Sequence, residues 1–182
     1  MARQRSIRYA VLGLGHIAQG AVLPAFRHAR RNSTLAALVS SDRKKLQVLG
    51  RRHGLKRLCG YDGVDELFES GEIDAVYIAL PNSMHAEYTV RAGKAGVHVL
   101  CEKPMAVRVD ECRQMIDACR ENRVKLMIAY RLHFEEINLD VIDLVRRGRI
   151  GEPKFFNSSF ALTVRRNDIR TKKAMGGGSL YD

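Results

Sequence analysis

The sequence has no tryptophan, and aromatic residues fill 7% of its 182 positions. They are not interleaved with the cations, so the base-stacking strip of a single-stranded nucleic-acid binder is missing. The four cysteines, Cys59, Cys101, Cys112 and Cys119, form no C-x-x-C pair, which excludes the common zinc and dithiol motifs. They read as reduced structural thiols, and no metal is expected. No apolar run approaches the ~20 residues that span a bilayer. The basic stretch from Met1 to Arg8 leads into no signal-type apolar segment, so the expectation is a cytoplasmic protein without a membrane partner. Acids are the scarcer charge: 20 against 31 Lys and Arg, a net +11. The cations are scattered and read as a solvated basic surface, with no nucleic-acid partner.

What is present is an ordinary globular composition, 46% hydrophobic and 28% charged, long enough for one domain and part of another. Strand-like runs at Ile7–Leu12, Leu35–Val39, Ala75–Leu80, Val97–Cys101 and Lys125–Ala129 alternate with helical stretches. The helices are expected near Ile17–Arg30, Arg43–His53, Val64–Ser70, Met84–Ala95 and Asp110–Asn122, with Pro24 ending or kinking the first. This alternation predicts an α/β fold, a doubly wound parallel sheet of Rossmann type. The pattern changes after Tyr130: a helix Glu135–Arg147, a turn at Gly151-Glu152-Pro153, and an alternating strand Lys154–Val164. Residues 1–129 are therefore read as a nucleotide-binding domain and 130–182 as the start of a second α/β domain.

The first strand breaks into Gly13-Leu14-Gly15-His16-Ile17-Ala18, a G-x-G-x-x-A turn. Gly13 suits the tight turn, Gly15 lets a pyrophosphate approach the backbone, and Ala18 lets the helix pack close. An ordinary strand-to-helix turn is the competing reading. Ser40 follows the second strand, where an acid often binds the ribose of NAD; with Arg43, Lys44 and Lys45 after it, the bias is toward NADP, NAD remaining possible. Ser41 and Asp42 also suit a helix cap, and Asp42 could reach a ribose. Leu80, Pro81, Asn82 and His85 lie where they would wall the nicotinamide side, or simply end a strand and pack. Glu102-Lys103-Pro104 follows the fifth strand. There the Lys103 ammonium could stabilise a developing oxyanion, or form a surface ion pair.

Taken with Tyr130-Arg131 and Gly176-Gly177-Gly178-Ser179-Leu180-Tyr181-Asp182, these motifs resemble the glucose–fructose oxidoreductase / inositol dehydrogenase / rhizopine catabolism family along essentially the whole chain. The glucose–fructose oxidoreductase branch is the nearest in pattern. The resemblance implies an NAD(P)-dependent oxidoreductase of sugars or polyols, homo-oligomeric at full length. It implies Lys103 as catalytic lysine, often joined to Pro104 by a cis bond, and Asp182 as an aspartate that works with a His or Tyr one helical turn later. Ser40 and Lys45 would hold the 2′-phosphate, and Arg131 would contact cofactor. The family's acid/base residue falls one helical turn past Asp182, so the expectation is a chain cut before it. A non-catalytic nucleotide-binding module is the alternative. Cys59 stands where relatives carry an aromatic near the adenine.

Overall fold

The structure, a computed structural model, describes residues 6–159, 161, 163, 164, 168, 171–175, 177 and 178. Six strands form one parallel sheet: β1 (Ile7–Leu12), β2 (Ser33–Val39), β3 (Arg57–Cys59), β4 (Ala75–Ile78), β5 (His98–Cys101) and β6 (Leu126–Ile128). Their spatial order is β3-β2-β1-β4-β5-β6. The order reverses between β1 and β4, so the connections leaving these neighbours diverge and open a crevice at the carboxyl edge.

Alternation along each strand feeds two cores. Ala10, Leu12, Val76, Ile78, Val99 and Cys101 face one side. There they meet α3 (Val64–Glu69), α4 (His85–Lys94) and α5 (Val109–Glu121). Val11, Leu38 and Tyr77 face the other. There they meet a π-helical run, Ala18–Val22, that flows into the short α1 (Leu23–Ala25), and α2 (Arg43–His53). The central strands are apolar on both faces because both faces are covered. At the amino edge, Arg8 pairs with Asp74 through Nε and Nη2 at 2.9 and 2.7 Å, joining β1 to the approach of β4.

The expected elements form with three differences. The first helix ends at Ala25, well before Arg30, and is π-wide before Pro24. Pro24 has no N–H to donate back, so the ladder cannot continue regularly through it. The three-residue β3 escapes the pattern because so short a run carries no period. It is defined instead by pairing with Ala37–Val39. The expected strand at Lys154–Val164 is irregular where described, and among the described residues no neighbouring strand supplies its ladder bonds.

Arg108 is the cap residue of α5 and Asp110 sits in its first turn. Helix α6 (Glu136–Arg146) forms but buries none of its side chains. Ile137 is 77% exposed, and Val141 and Leu144 are exposed too, so the apolar stripe of this helix is not buried against the sheet. Among the described residues no helix is long and apolar enough to cross a membrane. The four thiols are free.

Because Leu67 is fully buried and Ile137 largely exposed, truncation should separate them. Leu67→Ala is expected to destabilise by about 2–5 kcal/mol. Ile137→Ala is expected to stay within about 0.5 kcal/mol. Urea unfolding of both variants measures the difference. Equal losses would show that α6 packs against the sheet after all.

Candidate functional site

The carboxyl edge of the sheet gathers most of the residues singled out above. The turn after β1 is fixed first. Gly13 donates its N–H to Val39 O at 3.0 Å. Its φ is +88°, and a Cβ there would lie 2.4 Å from Ala79 O. Glycine is therefore required both by the left-handed backbone and by the neighbouring strand end. Gly15 is different: it is exposed, and a Cβ on it would meet nothing within 4 Å. Its missing side chain leaves an open approach to the N–H groups that begin the helix, which suits a pyrophosphate. His16 is exposed beside it, and Ile17 half-buried. Leu14 and Ala18 belong to the core, so they shape the turn from beneath.

The end of β2 forms a second corner. Ser40 is buried, and its Oγ accepts from Asp42 N at 3.1 Å. Asp42 caps α2, its Oδ1 accepting from Lys45 N at 3.0 Å. That backbone bond, with the nearby Lys45 ammonium, holds the Asp42 carboxyl below the usual range. A cavity of about 690 Å³ opens here, its polar side lined by Ser40, Ser41, Arg43, Gln47 and Asp62 and its apolar side by Leu46, Leu58 and Tyr61. Lys45 is not part of that lining; its Nζ stands 3.4 Å from Asp42 Oδ2. Arg43 is the cation at the cavity. Serine plus guanidinium offers hydroxyl and forked N–H donors to a phosphate, with no carboxylate in the Ser40 position to repel it.

The loops after β4 and β5 form the third corner. Pro81 and Asn82 are half-buried and Leu80 is buried. His85 has no exposed surface, so it packs behind the cleft and does not wall it. Lys103 is half-buried at the edge and joined to Pro104 by a cis peptide bond. Glu102 is buried and accepts from Tyr77 OH at 2.6 Å. Burial first, then this bond to Glu102, pushes the Tyr77 phenol far above its ordinary range, so it remains a donor. Arg131 is exposed and borders an apolar groove of about 230 Å³ shared with Tyr9, Tyr77, Leu100 and Glu102. The turn Lys173–Met175 returns to lie alongside Asn82–Met84. Asp182 lies outside the described residues.

Tyr77, Tyr61 and Asp62 were not anticipated. Tyr77 had a readable signal: a phenol in an apolar strand needs a partner for its hydroxyl. Tyr61 and Asp62 follow β3, which the pattern did not reveal. Burial pushes the Cys101 thiol up to about 12, which keeps it protonated and inert.

Residues 7–130 match the profile of an oxidoreductase family with an NAD-binding Rossmann fold. The chain is 35% identical to an uncharacterized oxidoreductase of Rhizobium meliloti, over 97% of this chain and 52% of that one. It is 33% identical to an NADP(+) D-xylose 1-dehydrogenase of Haloarcula marismortui, over 87% of this chain and 44% of that one. Among solved structures, an aldose–aldose oxidoreductase from Caulobacter crescentus complexed with glycerol superposes with a TM-score of 0.84 at 38% identity. That alignment covers 98% of this chain and 54% of the other. The chain thus spans about half the length of the relatives it matches.

The two turn glycines should respond oppositely to the same change. Gly13→Ala is expected to destabilise the fold by at least the ~1–3 kcal/mol of a strained backbone position. Gly15→Ala should leave stability within about 0.5 kcal/mol and weaken dinucleotide binding. Thermal melts and cofactor titrations of both variants check this.

Proposed function

The chain belongs to the glucose–fructose oxidoreductase / inositol dehydrogenase / rhizopine catabolism family of oxidoreductases, and from that premise we propose an NADP-dependent enzyme acting on a sugar or polyol. The nicotinamide supplies the two-electron chemistry, a hydride given to or taken from a carbinol carbon. The observation that carries the NADP assignment is the cavity at the end of β2, with Ser40 and Arg43 in its lining. The relative from Haloarcula marismortui named for NADP(+) supports the same reading.

In this reading the N–H groups from Gly15 through Ile17 bind the pyrophosphate, with His16 beside them. Ser40 and Arg43 hold the 2′-phosphate, and Lys45 adds positive potential from the α2 cap. Asn82 and Arg131 bound the nicotinamide side. Lys103 donates from its ammonium to the substrate oxygen and stabilises the negative charge that grows there. We assign Asp182 to orienting substrate. The return of Lys173–Met175 to Asn82–Met84 supports this, because it carries the preceding chain back to the cleft. Residues 1–129 act as the nucleotide-binding domain and 130–182 open the substrate domain; the buried apolar core among the described residues ends at Ala129. The free thiols support a cytoplasmic setting. The exposed apolar stripe of α6 supports a homo-oligomer or further chain covering it.

Fluorescence titration of the chain with NADPH and NADH tests the cofactor assignment. NADPH should bind more tightly, and Arg43→Ala should weaken NADPH by ~1–3 kcal/mol, the scale of a charge-assisted contact, while leaving NADH nearly unchanged. NADH binding as tightly as NADPH would overturn the assignment of the cavity to a 2′-phosphate.

A further inference from the structure

The turn that carries Lys103 is held by buried polar groups on both faces of the sheet. On the α1–α2 side, Tyr77 OH donates to Glu102 Oε1 at 2.6 Å, inside the protein. The other oxygen of the same carboxylate accepts from the Lys103 backbone N–H at 3.3 Å. Tyr77 projects from β4 into the core that includes Val11 and Leu38, so it approaches the turn from that face. On the opposite side, His85 sits at the start of α4 with no exposed surface. Its Nδ1 lies 2.8 Å from Pro104 O and its Nε2 3.0 Å from Leu80 O. One imidazole therefore lies within hydrogen-bond reach of a backbone carbonyl in each of the loops after β4 and β5, its neutral ring donating to one of them and packing against the other.

We infer that Tyr77 and His85 are positioning residues that brace the Lys103–Pro104 turn from opposite faces and so fix where the lysine ammonium stands. The inference rests on the assignment of Lys103 to the substrate oxygen, and it adds two residues that act through the backbone of the turn. The physical reason is the nature of the segment. Lys103 lies beyond the last paired residue of β5, Cys101, where no strand ladder constrains the chain. A flexible four-carbon side chain on an unconstrained turn would sample many positions. Side chains locked in the interior and bonded to that turn limit its backbone, and a misplacement of about 1 Å can lower a rate by about a hundredfold. Burial raises the value of each bond, because a buried donor or acceptor left without its partner is destabilising.

The test reads the lysine directly, without requiring turnover. Reductive methylation of the 182-residue chain with ¹³C-formaldehyde labels its lysines while keeping their charge. A Lys103→Arg variant identifies the Lys103 resonance. In Tyr77→Phe, which keeps the ring and loses one oxygen, that resonance should shift toward those of exposed lysines such as Lys44. The same direction is expected in His85→Gln, while both variants still unfold cooperatively. A Lys103 resonance unchanged in either folded variant would overturn the brace. NADPH is then added to the unmutated chain. A Lys103 resonance that moves in the variants but never responds to NADPH in the unmutated chain counts against the functional assignment and leaves the brace standing.

Discussion

The carboxyl edge of this sheet depends on the contact between the turn after β1 and the backbone of Ala79. Two strands that are neighbours in space send their chains to opposite faces at this place, and a side chain on Gly13 would occupy the volume of the Ala79 carbonyl oxygen. The contact sets how closely the loops after β1 and β4 approach. It therefore sets the width of the crevice in which a dinucleotide would lie. The two glycines of the motif do different work. Gly13 is required by the protein's own packing. Gly15 faces open space, and its lack of a side chain matters to a ligand.

From this contact the edge divides into three corners with distinct chemistry. The β2 corner offers the Ser40 hydroxyl and the Arg43 guanidinium, donors that suit a phosphate. The β1 corner offers backbone N–H groups. The corner formed by the ends of β4 and β5 combines a half-buried ammonium with buried hydrogen bonds at its back. The burial of Ser40, His85 and Glu102 is informative. Polar groups in a core must be bonded, and each of these bonds a backbone or side-chain group within one or two turns of the crevice. Much of the polar structure behind the edge thus serves to hold the edge still.

The apolar surface outside this core is concentrated in α6 and in Phe155 and Phe156, which are 86% and 87% exposed. Exposed apolar side chains on one helix and the segment after it are the kind of surface that burial elsewhere would stabilise. It fits a chain that aligns with about half of the relatives it matches.

The order of elements, the parallel sheet and most turns at its carboxyl edge were legible in the sequence. They follow from local rules: period-two and period-3.6 apolar patterns, a glycine where the backbone turns sharply, Asp42 as a cap, Pro24 as an interruption. Lys103 and Ser40 were legible because each follows the end of an apolar strand. Tertiary structure decided the rest. The three-residue β3 exists only because β2 supplies its ladder. The Lys154–Val164 alternation makes no strand where described, because no described strand lies beside it. His85 reads as a cleft residue from its position after Pro81-Asn82, yet the packing of α4 turns it inward to two backbone carbonyls. Tyr77 bonds Glu102 across 25 residues of sequence. No local pattern encodes that distance; it arises because β4 and β5 are neighbours, and only the assembled sheet makes them so.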